Sequence, residues 1–483
     1  MTHRLIKSLI ILFYVLILFA QCNSLETDSS SIIPRNVRQY CGSCHIVPEP
    51  QSLTSEMWES SILPKMSQFY IWDKQSEYEY ANTPFYNKQG NIPMTDDTWN
   101  EIINYYTSYG LSEESIRPVE NWPTQSFYEE IPVKFNSEYP PAITAAMINK
   151  GKILLGSAGA LVELEEDYTP KELIFNNRDF THIYPYEEDI YITSSSTINP
   201  HHGPFGEVAL YNSESNKLEL VFKKLERPVQ IYRSEDEIIT SEFGFKTGQL
   251  SIRKINNVDE PKAIHSLPGS YRIIPAQLNK NEEKILITSV SQAQEGIYAL
   301  IKNDKGYEVK ELIRFKPEYG LSDIDIADIN GDGLDDILVV NGDNADYSII
   351  PKSYHGINVY MNRGNFKFNH AYSFKIHGAT QGKFVDVNMD NKIDIIASCY
   401  FAESKEEGVV LLLNDNKEHL SFSPRKFEHA KAGNWMIMEK GDIDNDGFDD
   451  ILLGAYNGGP KQEKDSINFL DTDLLLLLNQ SDN

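Results

Sequence analysis

The chain has 483 residues, of which 71 are acidic and 44 are basic, so its formal net charge at pH 7 is −27. This surplus of carboxylates argues against nucleic acid or an anionic membrane surface as a partner. The length exceeds one ordinary hydrophobic core, and a hydrophobic content of 41% is ample for packing, so we expect a small and a large domain.

The amino terminus has the pattern of an export signal. Basic residues up to Lys7 precede an unbroken apolar run at 9–20, which is too short for a membrane span and typical of a secretory signal peptide. We therefore predict a signal at 1–22 and an exported protein, located in the periplasm or at the outer membrane or cell surface.

Cys22 stands where a bacterial lipoprotein signal places its acylated cysteine, and the polar stretch at 23–35 reads as a flexible tether. The preceding Phe19-Ala20-Gln21 departs from the usual pattern, in which a small residue precedes the cysteine, so simple cleavage near Cys22 is the alternative. A lipid anchor at Cys22 would be the only contact with a membrane.

Cys41-Gly-Ser-Cys44-His45 is the pattern that attaches a c-type haem, with two thiols for the porphyrin edge and an imidazole for the iron. A zinc site would need a second Cys/His pair nearby, and a thioredoxin-like redox pair would need a βαβ context; the sequence around the motif has neither. The prediction is covalent haem c, and export agrees with it.

Residues 36–118 have a helical pattern between aromatic anchors. Trp58, Ile62 and Met66 share one face of a helix that is predicted to begin near Thr54 and to bend or restart at Pro64. A second helix is predicted after Thr95, an N-cap candidate, with an apolar stripe of Trp99, Ile102, Ile103 and Tyr106. We expect a small all-α domain here.

The candidates for the sixth iron ligand can be reduced by elimination. No histidine occurs between His45 and His182, so a strong axial partner in this domain must be Met57, Met66 or Met94. Met66 lies on the apolar helix face and is preferred. Met94 is the alternative, although its place before the Thr95 cap would also suit a purely structural contact. Met57 as the ligand, or an open sixth coordination position, are the remaining alternatives.

Three acidic segments, at 328–336, 386–394 and 442–450, read D-x-[ND]-x-D-x-x-x-D and run into β-rich strings. Side-chain oxygens at positions 1, 3, 5 and 9, with the backbone carbonyl at position 7, can surround one Ca²⁺ ion, which predicts up to three calcium sites. Acidic hairpin turns without metal are the alternative. The predicted ligands are Asp328, Asn330, Asp332, Leu334, Asp336, Asp386, Asn388, Asp390, Lys392, Asp394, Asp442, Asp444, Asp446, Phe448 and Asp450.

The segments recur with a period typical of a propeller. Degenerate copies of the turn precede them, and one near Asn281 has lost its last carboxylate and should bind no calcium. A second marker, a short apolar run such as that at 296–300, also occurs seven times. Four-stranded sheets arranged radially protect their edges, so 119–483 is predicted to form an all-β propeller, with seven blades preferred over six or eight.

The acidic segments resemble the loops of FG-GAP/VCBS repeat propellers. The amino-terminal string from Cys41 to His45, with Pro48-Glu-Pro50, Trp58, the segment at 63–66 and that at 99–106, resembles the monohaem cytochrome c joined to such propellers in exported Bacteroidetes proteins. The resemblance implies a haem domain on a calcium-stiffened scaffold, without metal in the early blades. It implies no substrate.

Three functions compete. The preferred one is electron transfer at the cell envelope, with the propeller docking a redox partner protein or a ligand. The second is a haem-linked oxidoreductase, which a cavity on the propeller axis lined by histidine, arginine and carboxylates would favour. The third is surface adhesion. No catalytic residue is predicted, because no nucleotide loop, nucleophile elbow or zinc-protease motif occurs. His201 and His202 are the best candidates for a polar cluster at a propeller face.

Overall fold

The computed structural model describes residues 33–43, 45–67, 70–72, 93–112, 121–135, 140–201, 203–245, 247–280, 282–292, 294–343, 352, 354–402, 404–416, 420–457 and 472–480. The predicted signal peptide, Cys22, most of the tether, Cys44 and His202 lie outside these ranges. Within them, no helix combines the length and the apolar character needed to cross a bilayer.

The helices lie near the amino terminus. They are α1 Arg35–Tyr40, α2 Ser55–Met57, a π-helical turn Trp58–Ile62, α3 Leu63–Ser67 and α4 Asp96–Tyr109, with short 3₁₀ turns at Cys41–Ser43 and Pro50–Ser52. A short parallel pair joins β1 Ile71–Trp72 to β2 Pro93–Met94. The buried faces of these elements form a hydrophobic cluster of their own, which includes Trp58, Trp99 and Tyr106.

The rest of the described chain forms seven four-stranded antiparallel sheets. Blade 1 is β4 Ile143–Asn149, β5 Lys152–Ser157, β6 Ala160–Leu164 and β7 Pro170–Phe175; blade 2 is β8 Asp179–Tyr186, β9 Asp189–Ser195, β10 Gly206–Asn212 and β11 Lys217–Leu225; blade 3 is β12 Pro228–Arg233, β13 Glu237–Glu242, β14 Gln249–Lys254 and β15 Asn257–His265.

The remaining blades follow the same order from the axis outwards. Blade 4 is β16 Ser270–Ala276, β17 Ile285–Val290, β18 Gly296–Asn303 and β19 Gly306–Arg314; blade 5 is β20 Leu321–Ala327, β21 Asp336–Asn341, β22 Gly356–Asn362 and β23 Phe368–Lys375; blade 6 is β24 Gln381–Val385, β25 Asp394–Ser398, β26 Val409–Asn416 and β27 Ser421–Lys426; blade 7 is β28 Trp435–Gly441, β29 Asp450–Ala455, β30 Leu474–Asn479 and β3 Tyr128–Val133. Two 3₁₀ turns, Lys405–Glu407 and Ala430–Ala432, lie between strands.

Blade 7 joins the two ends of the propeller. Strand β3, which precedes blade 1 in the chain, pairs antiparallel with β30, and the register runs from Tyr128 opposite Asn479 to Val133 opposite Leu474. The first strands of neighbouring blades contact each other around the whole ring. Closure removes the free edges that an open array of sheets would expose.

The hydrophobic core is divided among the blade interfaces. Each of the seven interfaces between neighbouring blades contains one cluster of buried apolar side chains. Cys399 is buried in one of them, 3% exposed, as its apolar surroundings in the sequence predict. The seven-bladed propeller preferred from the sequence is confirmed.

The amino-terminal region does not form the distinct all-α cytochrome c-like domain that the sequence predicts. The described helices are short, and the parallel pair β1–β2 adds strand to this part of the chain. The helical cluster also contacts the propeller: Tyr354 packs against it, and Lys316 Nζ lies 2.7 Å from Glu49 Oε1. The side chains of this region are therefore held partly by propeller loops.

Candidate functional site

The helix that carries Met66 is shaped by two residues. The Thr54 hydroxyl accepts a hydrogen bond from Met57 N at 3.1 Å and caps α2, so a helix begins next to Thr54, as predicted. Pro64 has no N–H to donate to the carbonyl four residues earlier, and the turn before it widens, so that Leu63 N bonds to Trp58 O, five residues back. Instead of a break at Pro64, the chain continues through a π turn into α3.

A small cavity lies between these helices and the propeller. Cys41, His45 and Met66 are in its wall, together with apolar side chains that include Trp58 and Trp99. Trp58 is fixed there because its Nε1 donates to Pro50 O at 2.7 Å. The structure thus brings three of the predicted haem residues to one cavity, while Cys44 lies outside the described residues.

His45 is oriented by its backbone neighbour. Its Nδ1 lies 2.8 Å from the carbonyl oxygen of Ile46, so Nδ1–H donates and Nε2 keeps its lone pair. The half-buried position lowers the pKa of His45, chiefly through desolvation of its charged form. A neutral imidazole with Nε2 available is the form that ligates iron.

The alternative methionine lies elsewhere. Met94 is fully buried in the hydrophobic cluster, and Met57 is 2% exposed there; neither is among the residues that form the cavity wall. Met66 is partly buried and faces the cavity. Of the three candidate sulfur ligands, only Met66 therefore shares a cavity with His45 among the described residues.

The donor set fits a c-type haem in chemistry: a thiol, an oriented imidazole and a thioether surround an apolar space. The cavity volume is about 50 Å³, which is smaller than a porphyrin, so the helices would have to move apart to admit one. Covalent attachment during export, while the chain is still folding, would avoid that rearrangement.

One wall of the cavity could not be predicted from the sequence. Pro317, Glu318 and Lys352 come from propeller loops that lie far from the haem motif in sequence. The carboxylate oxygens of Glu318 are buried, and burial raises its pKa to about 7. A carboxyl group that titrates near neutral pH therefore stands beside the candidate haem pocket.

The three acidic loops lie between the first and second strands of blades 5, 6 and 7 and have one common hydrogen-bond pattern. In the first loop, Asp332 N donates to Asp328 Oδ1 at 2.9 Å, Gly333 N to Asp328 Oδ2 at 2.7 Å, and Ile329 N to Asp336 Oδ2 at 3.1 Å. The corresponding bonds recur in the other two loops. Position 1 thus organises the turn, and position 9 joins its start to the second strand.

Positions 4 and 6 of each loop have left-handed backbone conformation. Their φ angles are 74° and 85° at Gly331 and Gly333, and 63° and 91° at Asn445 and Gly447. Glycine and asparagine adopt this conformation at low cost. The same turn geometry therefore recurs in the three loops.

The loops have the chemistry of a calcium site. Oxygens of Asp442, Asp444 and Asp450 lie within 4.8 Å of one another, close enough to bind one ion. In the second loop, Lys392 Nζ lies 2.7 Å from Asp390 Oδ2, so its side chain partly neutralises the site while its backbone carbonyl is the predicted ligand. Oxygen-only coordination of this kind suits Ca²⁺.

The carboxyl group at position 9 is the most buried of each set. Desolvation raises the pKa of Asp336 to about 7, of Asp394 to about 7 and of Asp450 to about 6. Neighbouring loop carboxylates contribute to this rise in pKa. A cation in each loop would favour the ionised forms.

Met389, at position 4 of the second loop, has φ of 59° and is 56% exposed, so its side chain gains little from packing. Substituting Met389→Gly should raise the free energy of unfolding by about 0.5–1 kcal/mol, because relief of the left-handed strain outweighs the entropy of the unfolded chain. Urea denaturation measures the change. Met389→Ala keeps the Cβ and should bring no gain, and a Gly variant less stable than the parent would contradict the strain argument.

A larger cavity, of about 350 Å³, lies on the propeller axis. Its wall includes His182, Arg272 and Glu439, and an axial cavity lined by histidine, arginine and carboxylates is the feature that would favour an oxidoreductase. His201 is not in that wall. Its Nε2 lies 3.1 Å from the hydroxyl of Ser195, and Ser195 is a wall residue. No sequence pattern indicates that Arg272 and Glu439 line one cavity, since blades 5 and 6 separate them along the chain.

Residues 386–453, which contain the second and third acidic loops, match the FG-GAP-like repeat family. Integrin alpha-8 of Homo sapiens is 27% identical over 150 residues, which cover 28% of this chain and 14% of the integrin. Integrin alpha-8 of Gallus gallus is 25% identical over 266 residues, which cover 50% of this chain and 25% of the integrin.

Among solved structures, the extracellular domain of a putative one-component system from B. thetaiotaomicron has a TM-score of 0.43 and 10% sequence identity, over 72% of this chain and 39% of that one. The matched parts of this chain cover a quarter or less of the length of the integrins described above. Residues 386–453 carry an FG-GAP-like repeat within a seven-bladed propeller.

Proposed function

We propose that this chain is a c-type haem protein of the cell envelope that transfers electrons, with a calcium-stabilised propeller that docks a redox partner protein or a ligand. The observation that carries the proposal is the cavity that Cys41, His45 and Met66 share. Haem held there would supply one-electron redox chemistry. The protein residues would tether it, ligate the iron and exclude water.

The support for electron transfer lies in the character of this pocket. Histidine and methionine as axial ligands raise a haem potential and leave no open coordination site for substrate. The wall is largely apolar, and Glu318 is its buried carboxylate. Export, with a lipid anchor at Cys22 or without one, rests on the amino-terminal sequence pattern.

The docking role rests on the propeller. FG-GAP-like repeats and the local similarity to integrin alpha-8 support a binding function for this part of the chain. The acidic loops all project from one side of the ring, because they join first to second strands in blades 5, 6 and 7. Bound calcium would hold these turns rigid and reduce their negative charge.

A haem-linked oxidoreductase is the second candidate, and the axial cavity favours it. His182, Arg272 and Glu439 lie in that wall, and Asp343 lies in the walls of both this cavity and the candidate haem pocket. A compound bound on the axis would therefore be near the haem. This arrangement is what electron transfer from a substrate to the haem would require.

The test is covalent haem in protein matured by a host that assembles c-type cytochromes. We expect mass spectrometry of the denatured, solvent-extracted protein to show the polypeptide plus one haem, because two thioether bonds survive unfolding. Cys41→Ser or Cys44→Ser should lower or abolish haem retention. The control is Cys399→Ser, which removes a buried thiol in the propeller and should retain haem fully. Mature parent protein without a haem adduct would overturn the proposal.

A further inference from the structure

The axial cavity lies at one end of the propeller channel. The residues of its wall come from the first strands of the blades, mostly near their starts, and from segments that follow second strands, such as Ser291 and Tyr400. In an antiparallel blade these segments lie opposite the turns between first and second strands, where the acidic loops are. The cavity is therefore separate from the candidate calcium sites.

Arg272 supplies a hydrogen-bond donor without a partner. Its side chain is held in place because Nε lies 2.5 Å from Asp323 Oδ1 and the guanidinium stacks 4.7 Å above the ring of Tyr271. Nη2 is buried and donates no hydrogen bond within the described part of the chain. A buried donor without an acceptor destabilises the folded state, and an acceptor atom on a ligand would remove that penalty.

Glu439 supplies the matching acceptor. Its side chain is in the cavity wall, and its carboxylate forms no hydrogen bond or ion pair with the residues that the structure describes. Burial raises the pKa of Glu439, although the charges of Lys383 and Arg272 oppose this effect. A ligand hydroxyl that donates to this carboxylate would satisfy it.

The charges around the channel argue against an anionic ligand. Around the channel lie four carboxyl groups, those of Asp323, Asp325, Asp343 and Glu439, and three cations, Arg227, Arg272 and Lys383. His182 adds no positive charge near neutral pH, because desolvation lowers its pKa to about 3. The cations do not outnumber the carboxyl groups, so no surplus of positive charge would hold a further carboxylate or phosphate, whereas hydroxyl groups can both donate and accept without adding charge.

We propose that the axial cavity binds a small neutral polyhydroxylated compound of monosaccharide size, with one hydroxyl oxygen accepting from Arg272 Nη2 and another hydroxyl donating to Glu439. The volume of about 350 Å³ lies within the range of small-molecule sites. Phe243, Tyr271 and Phe401 give the wall aromatic faces that can pack against the C–H faces of a sugar ring. The proposal goes beyond the haem function and does not depend on it.

The test is isothermal titration of the full chain with D-glucose, D-galactose, D-mannose and myo-inositol. We expect at least one of these compounds to bind. Glu439→Gln and Arg272→Lys should each raise its dissociation constant about tenfold, which corresponds to about 1.4 kcal/mol. Glu439→Gln keeps the side-chain size and Arg272→Lys keeps the charge, and each can stand alone if the other fails to fold. Glu428→Gln, an exposed change outside the cavity wall, is the matched control and should leave the affinity unchanged.

Three outcomes would overturn the proposal. None of the four compounds binds at millimolar concentration; or binding is unaffected by both cavity variants, which would place the site elsewhere; or D-glucuronate binds more tightly than D-glucose, which would show that the channel prefers an anion. Covalent haem measured on the same samples is independent of all three, so the two proposals can fail separately.

Discussion

Replacing Met66 by alanine is expected to abolish the sulfur-to-iron absorption band of the oxidised haem protein and to lower its midpoint potential by on the order of 100 mV or more. The physical reason is loss of the thioether ligand, which stabilises reduced iron. Met66 is the methionine that faces the cavity of His45, and its side chain is only partly buried. The fold should therefore survive the change, and covalent haem should be retained.

Met94→Leu is the matched control for this experiment. Met94 is fully buried in the helical cluster and outside the cavity wall, so a change that conserves volume should cost less than about 1.5 kcal/mol and leave the spectrum intact. The opposite result, a lost band in the Met94 variant and a normal one in the Met66 variant, would assign the iron to Met94. Absorption spectra and redox titration of both proteins decide between them.

The propeller could be predicted from the sequence because its signals are local. The acidic segments and their degenerate copies fall at turns between first and second strands, for example at 328–336 in blade 5. The second marker falls on third strands, for example β18, Gly296–Asn303. Turn chemistry and β-rich runs are both read within about ten residues, so a repeat can be counted without knowing what it contacts.

The candidate sites were only partly predictable. The Cys41–His45 motif and the oxygen spacing of the loops are contiguous, so their chemistry is visible in the chain. Glu318 beside the helical cavity and the meeting of Arg272 with Glu439 depend on closure of the ring. No local pattern reports such contacts, because each partner's own neighbourhood reads as an ordinary strand or loop.

Calcium is expected to raise the thermal stability of the propeller strongly. At a concentration of 100 times the dissociation constant, one site adds about 2.7 kcal/mol to the free energy of unfolding, so three sites in one cooperative unit would add about 8 kcal/mol. Melting curves with calcium and with chelator measure the difference. Asp442→Asn removes a charged ligand that also accepts from Asp446 N and Gly447 N, and it should remove about a third of the calcium effect.

The matched control is Asp444→Asn. Position 3 is already asparagine in the other two loops, as Asn330 and Asn388, so the amide oxygen is compatible with this turn. We expect this variant to keep most of its response to calcium. Equal loss in the two variants would show that charge at the third loop, rather than a defined ligand position, sets the affinity.

The calcium effect should also depend on pH in a defined direction. The position 9 carboxyls have pKa values of about 7, 7 and 6 in the folded protein, above the ordinary value of 3.8. Without calcium, the folded state therefore binds more protons than the unfolded state, and these groups add stability as the pH falls from about 7 towards 4. Calcium competes with those protons. The gain in melting temperature from calcium should be largest near pH 8 and should shrink towards about pH 5.

The comparison with and without calcium isolates the loops from the buried histidines. His182 and His265 have pKa values lowered to about 3 and about 4, so they destabilise the fold as the pH falls below 6.5, in the opposite sense to the loop carboxyls. Neither lies in an acidic loop, so their contribution is the same in both conditions and cancels in the difference. A calcium increment that stays constant from about pH 8 to about pH 5 would show that the position 9 carboxyls do not bind the ion.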